Sequence, residues 1–240
     1  DMFMLNHSVH SNGTYGKADI RNEFHPLAGD KLMRNDGSRF TDVTKAAGIY
    51  SSALGYGLGI AVGDVNWDGY PDIYIGNDFH ENDYLYINNG DGTFTEQLEA
   101  SIQHTSRFSM GNDIGDINND GHPDILSLDM LPADPKKLKS SAAEDSYDIY
   151  HFKLGFGYNH QFARNTLQLN LGNGQFSEIA LLSGIAATDW SWSGIFADLD
   201  LDGHKDIYIS NGIKRRMNDL DYINFVSNEA IQHRLEGDLT

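Results

Sequence analysis

The chain has 240 residues, with an apolar fraction of 40% and a charged fraction of 22%, the balance of a folding chain of one or two domains. Acids outnumber bases 35 to 17 and the formal net charge is −18, which argues against nucleic acid as the main partner because phosphate binding needs a basic face. There is no cysteine, which excludes disulfide scaffolds, thiolate zinc sites and cysteine catalysis; no apolar run approaches roughly 18 residues, so no membrane-spanning helix is expected.

In chain order, the first segment is Asp1-Met2-Phe3-Met4-Leu5. It reads as the last residue of an acidic loop running into a strand. With no start methionine and no signal peptide, the chain is expected to be a processed or trimmed piece. A hairpin signal spans 30–40 through Asn35-Asp36-Gly37, and Thr41-Asp42-Val43 and Ala47-Gly48-Ile49 follow. The loop Asp64-Val65-Asn66-Trp67-Asp68-Gly69-Tyr70-Pro71-Asp72 then leads into the apolar Ile73-Tyr74-Ile75. A second hairpin signal, Asn88-Asn89-Gly90-Asp91-Gly92, ends at Phe94. The loop recurs as Asp116-Ile117-Asn118-Asn119-Asp120-Gly121-His122-Pro123-Asp124, with Ile125-Leu126 after it. The hairpin recurs through Asn170-Leu171-Gly172-Asn173-Gly174 to Phe176, and Ser183-Gly184-Ile185 repeats the earlier Ala-Gly-Ile. The third loop is Asp198-Leu199-Asp200-Leu201-Asp202-Gly203-His204-Lys205-Asp206. Small residues Gly63, Gly115 and Ala197 precede each first Asp, and Tyr56, Phe108 and Trp190 stand eight positions before it.

Each unit therefore reads strand, acidic loop, strand, hairpin, strand. Asp-Gly and Asn-Gly between apolar alternations mark hairpin turns because the turn needs positive φ. The loops are 52 residues apart from Asp64 to Asp116 and 82 from Asp116 to Asp198. The shorter spacing fits one four-stranded β-propeller blade. The excess falls in 131–163, an insertion in which Tyr147, Tyr150 and Leu154 share a helical face. From Lys214 the pattern changes: Met217, Leu220, Ile223 and Val226 recur every three residues, as in a helix. The expected organisation is all-β propeller blades over 1–213, with the partly helical insertion, and a helical extension over 214–240.

The pattern D-x-[DN]-x-D-G-x-x-D suits calcium, which takes six to eight oxygen ligands in irregular geometry. Side chains at positions 1, 3 and 5 aim oxygens inward: Asp64, Asn66 and Asp68; Asp116, Asn118 and Asp120; Asp198, Asp200 and Asp202. Glycine at position 6 makes the bend. Position 7 offers a backbone carbonyl (Tyr70, His122, His204), leaving the histidine rings exposed, and position 9 closes the shell (Asp72, Asp124, Asp206). The first half of an EF-hand is similar, but Ile75, Ser127 and Ile209 replace its closing glutamate and the flanks alternate as strands. Magnesium prefers water-rich octahedral sites, and zinc lacks nitrogen and sulfur ligands here. About three structural calcium sites are expected, each loop independent of the others.

The chain resembles the FG-GAP/VCBS repeat family, whose calcium-binding blades also build integrin α-subunit propellers. The residues carrying this are the three loops. The stretches 76–85 and 188–193 look like bacterial cartilage-acidic-protein-type proteins of Bacteroidetes, many of them surface or secreted, with further blades and a C-terminal domain. A closed ring of roughly six or seven such blades takes more than about 300 residues, so the rest of the ring or a larger assembly is expected as partner. The resemblance implies an extracellular or outer-membrane-surface module that binds a protein or a glycan, with calcium structural.

No Ser-His-Asp order, phosphate loop or cofactor fingerprint appears, and an enzyme is not expected. The rival reading is a propeller-based polysaccharide lyase or hydrolase, whose nearest acid–base cluster is Asp78, His80, Glu81 and Asp83. A third is a subunit of an outer-membrane uptake or secretion assembly. Trp190 and Trp192 share a strand face and are expected in the core between blades. The insertion's aromatic and histidine side chains, Tyr147, Tyr150 and Tyr158 among them, serve either its own packing or a ligand-facing rim.

Overall fold

The computed structural model describes residues 1–10, 18–141 and 145–228. The fold is mostly β, as expected. The first sheet holds β1 (Met2–Met4), β2 (Lys31–Asn35) and β3 (Phe40–Asp42) in that order. The second is a four-stranded antiparallel meander of β4 (Gly57–Gly63), β5 (Asp72–Asn77), β6 (Tyr84–Asn88) and β7 (Phe94–Glu96). Helix α1 (Leu98–Ser101) and β8 (His104–Ser106) lead to the third sheet. Its strands are β9 (Asn112–Gly115), β10 (Asp124–Ser127), β12 (Thr166–Asn170) and β13 (Phe176–Glu178). Between β10 and β12 lie α2 (Pro135–Lys139), α3 (Tyr147–Gly155) and β11 (His160–Phe162), all within the expected insertion. The last pair, β14 (Ser191–Ala197) and β15 (Asp206–Asn211), precedes α4 (Leu220–Ser227). The part of the expected terminal helix beyond 228 lies outside the described residues, and Met217 precedes the helix.

The hairpin glycines explain where the strands reverse. Gly90 and Gly92 have φ of 75° and 88°, and Gly172 and Gly174 have 69° and 81°, a region open to glycine and strained for other residues. Registers follow the sequence alignment: Asn88 pairs Phe94, Asn170 pairs Phe176, and in the shorter copy Asn35 pairs Phe40. The Ala-Gly-Ile and Ser-Gly-Ile repeats close matching turns, in which the Ile49 N–H donates to Thr44 O and the Ile185 N–H to Ala180 O, each at 3.0 Å.

Alternation along β5 assigns its two faces to two cores. Ile73 and Ile75 pack with Leu32, Ile49, Tyr84 and Tyr86 toward the first sheet. Tyr74 packs with Leu85, Leu98, Ile125 and Phe176 toward the third. Leu167, Ala180 and Ala186 pack against Phe196 and Ile207 of the last pair. The sheets thus stack face to face in chain order, as blades do.

Sequence reasoning missed the parallel pair β8–β11, in which His104 pairs His160 and Phe162 pairs Ser106. It docks the insertion onto the body of the protein. One expectation is corrected. Trp192 is 49% exposed, not buried between blades, and its Nε1–H donates to Gly212 O at 2.8 Å. Among the described residues no further sheet covers that face of β14. Trp190 precedes β14 and lies 6.2 Å from the Trp192 ring.

Strands β4, β9 and β14 lie side by side. Glycines permit that approach, as they do wherever backbones draw close in a sheet. A Cβ on Gly59 would meet Met110 O at 2.2 Å, and one on Gly111 would meet Trp192 O at 2.4 Å. Gly59→Val is therefore expected to destabilise the fold by about 1–3 kcal/mol through overpacking. Gly155→Ala, with nothing within 4 Å of the added carbon, is expected to stay within about 0.5 kcal/mol. Urea midpoints measure both. A wild-type midpoint for Gly59→Val would refute the close strand contact.

Candidate metal centres

The three acidic loops connect β4 to β5, β9 to β10 and β14 to β15, and they fold alike. At position 4, Trp67, Asn119 and Leu201 have φ of 62°, 58° and 64°; at position 6, Gly69, Gly121 and Gly203 have 87°, 93° and 91°. The left-handed state costs a non-glycine residue about 1–2 kcal/mol, yet each loop contains one. That position carries no sequence signal, since tryptophan, asparagine and leucine share no chemistry.

The position-1 carboxylate holds the turn. Asp64 Oδ1 accepts the Asp68 N–H at 3.1 Å and its Oδ2 accepts the Gly69 N–H at 2.8 Å. Asp116 does the same with Asp120 and Gly121 at 3.1 and 2.9 Å, and Asp198 with Asp202 and Gly203 at 3.0 and 2.9 Å. At position 5, Asp68, Asp120 and Asp202 accept the N–H of Tyr70, His122 and His204 at 2.9, 2.8 and 2.8 Å. The His122 amide, and then the Asn118 side chain, hold the Asp120 carboxyl below its ordinary range. Asn66 and Asn118 at position 3 each turn Oδ1 toward the position-5 amide and donate Nδ2–H to the position-5 carboxylate at 2.9 Å.

Position 9 has a second task that sequence reasoning did not find. Asp72 is fully buried. Its Oδ2 accepts the Val65 N–H at 2.9 Å, and its Oδ1 accepts the Asn88 N–H of the hairpin at 2.8 Å. Asp124 repeats this with Ile117 and Asn170 at 2.9 and 2.8 Å. Burial, reinforced by the nearby loop carboxylates, raises both acids above their ordinary range despite these bonds. Asp1 accepts the Asn35 N–H at 2.9 Å, the same bond to the same hairpin position. Asp1 thus occupies the place of a position-9 residue, as the sequence pattern implies. The recurring hairpin asparagine was the available signal for this partner.

The third loop differs. Asp206 is exposed, and its Oδ2 accepts the Leu199 N–H at 3.0 Å. Position 3 is Asp200 rather than asparagine. Carboxylate oxygens of Asp198, Asp200 and Asp206 all lie within 4.8 Å of one another. This is an all-oxygen donor set with several negative charges in one turn, the chemistry of a hard cation site. The amide bonds within the loops occupy one lone pair on an oxygen that has two, so they orient the oxygens without exhausting them. The residues of the third loop fit the ion; among the described residues the carboxylates of the first two loops do not draw together in threes to that distance.

The position-7 side chains pack rather than ligate. The Tyr70 ring lies against Gly90, where an added Cβ would meet it at 2.6 Å, and His122 lies against Gly172 in the same way. His204 is exposed as expected, whereas His122 is half-buried. The loops also touch one another. Asn119 Nδ2 lies 2.9 Å from Gly203 O and 3.0 Å from His204 Nδ1, and the Trp67 and His122 rings are 6.5 Å apart. Position 4 of one loop thus meets the next loop.

Three members of the acid–base cluster of the rival reading, Asp78, Glu81 and Asp83, are bonded within the fold. Buried Glu81 binds the Arg21 guanidinium, with Nη2 to Oε1 at 2.8 Å and Nε to Oε2 at 3.1 Å. Buried Asp83 accepts from Tyr74 Oη at 2.6 Å, and from the Asn77 N–H and Ser109 Oγ at 2.8 Å each. Asp78 Oδ1 accepts the Phe79 N–H at 2.8 Å.

Stacked four-stranded sheets, each entered through the same acidic loop, now have a counterpart among known families. Residues 68–127 and 156–209 match the FG-GAP-like repeat. The two matches cover just under half of the chain and support the FG-GAP/VCBS repeat family. The first runs from within the first loop to the end of β10 and the second from just after α3 into β15, so the insertion's helices fall between them. The first sheet lies outside both matches but has the same strand order and the same Asp1–Asn35 bond. No curated protein matches the chain, and the narrower likeness to the Bacteroidetes proteins remains a resemblance.

Asp83 also gives a pH test of the interior. Burial pushes its carboxyl from 3.8 up to about 7. Between those values the folded state retains a proton that the unfolded chain releases, so this group's contribution to stability falls as pH rises. The Asp83→Asn variant lacks that dependence. Its urea midpoint is expected to gain on the wild type steadily from pH 4 to about 7. A difference independent of pH would refute the raised acid.

Proposed function

We propose that the chain is a calcium-stabilised β-propeller module, extracellular or on the cell surface, that acts by binding a protein or a glycan. The observation that carries this is the acidic turn repeated between the first two strands of three sheets, with the carboxylates of Asp198, Asp200 and Asp206 drawn together in the third. Repetition sheet by sheet suits architecture rather than a single reaction centre. The ten carboxylates in the 27 loop residues repel one another without cations. Calcium suits the sites better than magnesium because the turn presents many oxygens in irregular array. EF-hand loops of extracellular modules fill at about 10⁻⁴–10⁻³ M calcium, and by analogy these loops suit the calcium supply outside cells. The buried, already partnered carboxylates of Glu81 and Asp83 favour the binding reading over the enzyme.

Melting in excess chelator and in millimolar calcium tests the metal. A hundredfold excess over the dissociation constant contributes about 2.7 kcal/mol per site, and each kcal/mol raises the melting temperature of a chain this size by about 2–4 °C. A rise with calcium is expected and an unchanged melting temperature would overturn the reading. Asp68→Ala, Asp120→Ala and Asp202→Ala are each expected to lower the bound calcium by one ion.

The contact between loops adds a finer expectation. Asn119→Ala leaves the ligands of the third loop intact but removes its tie to the second. It is expected to preserve the calcium count while weakening binding at the third loop several-fold, as read by calorimetric titration. An unchanged isotherm would show that the loops bind independently.

A further inference from the structure

The binding reading does not say where a ligand sits. A cavity of about 860 Å³ opens between the first two sheets, a volume typical of small-molecule sites. It is bounded by the 3-10 turn Ala18–Asn22, the segment 44–51 after β3, and β6, β7 and α1. We propose that this cavity binds a short uncharged oligosaccharide; the inference rests on the binding-module reading and gives it a site.

Charge selects the class. Lys45 stands in the same wall as Glu96 and Glu99, so neither sign of charge meets a uniformly opposite lining. The charge of Arg21 is already matched by Glu81 behind it. A sugar hydroxyl both donates and accepts, as a serine hydroxyl does, and so suits a wall that carries donors and carboxylates together. Phe24, 61% exposed, and Tyr50 add aromatic surface, which suits the apolar C–H face of a pyranose ring. A purely apolar ligand would strand these polar groups. Among the lining residues, Tyr84 is 2% exposed and its hydroxyl is buried without a hydrogen-bond partner, an unusual state for such a group.

The insertion takes part by bracing one wall. An Arg21 Nη1–H donates to Gly157 O, and the guanidinium lies 4.6 Å over the Tyr158 ring. A smaller cavity of about 600 Å³ shares Glu99 and is lined by Leu154, Tyr158 and His160. A chain of sugars leaving the first cavity past Glu99 therefore meets the insertion.

Calorimetric titration of the 240-residue chain with cellotetraose, xylotetraose, mannotetraose and the N-acetylated chitin tetramer tests this. At least one is expected to bind, and Phe24→Ala and Glu99→Gln, both at exposed positions, are each expected to weaken it at least tenfold. The calcium-dependent melting shift should be the same in both variants as in the wild type. Binding by none of the four, binding that both variants retain, or tighter binding of a galacturonate or glucosamine tetramer would overturn the proposal. A calcium shift without saccharide binding overturns only the cavity. Saccharide binding at this cavity without a calcium shift overturns only the metal reading.

Discussion

The ninth residue of each acidic loop joins what the rest of the architecture needs kept together. One oxygen of Asp72 takes an amide from inside the loop, and the other takes an amide from the hairpin at the end of the adjacent strand. The strand that follows the loop is thereby fixed to both of its neighbours through a buried charge. Asp124 repeats the arrangement and Asp1 repeats its hairpin half. Removing such a carboxylate from a buried site leaves two amides unpaired, each worth about 1–3 kcal/mol. Loop geometry and sheet geometry are consequently one structure rather than two.

Seen this way, the hairpin asparagines are as much a part of the loops as the aspartates. Asn88 gives its backbone N–H to Asp72, its Nδ2–H to Pro71 O at 3.0 Å, and accepts the Gly90 N–H at 3.0 Å. Asn170 does the same for the third sheet and also reaches Val65 O of the preceding loop at 2.8 Å. A single side chain therefore sets a turn, anchors a loop and links one sheet to the next.

Much of this was legible in the sequence because repetition reports topology directly. The loop-to-strand order, the hairpin registers and the place of the insertion all follow from aligned copies. What sequence could not supply were contacts between elements far apart in the chain. The β8–β11 pairing joins residues with no shared motif. The left-handed position 4 admits tryptophan, asparagine and leucine, so no residue type marks it. Trp192 was misplaced because alternation identifies which face a side chain takes but not whether a neighbour covers that face. Glu81 looked available in the sequence because its partner, Arg21, lies 60 positions earlier.

The third loop stands apart in how it is held. The first two loops rest on a buried carboxylate clamped from both sides by amides, and they carry a neutral asparagine at position 3. In the third, the corresponding Asp206 is exposed, and among the described residues no third strand pairs with β15. There position 3 is the acid Asp200. The series therefore runs from loops whose ninth carboxylate also holds a hairpin to one whose ninth carboxylate holds only its own loop. Exposed charges are screened over about 8–10 Å at physiological salt and buried ones much less, so ionic strength acts most strongly on the third loop. Within the described residues the three turns therefore share their amide bonds and differ in how far the ninth carboxylate is covered.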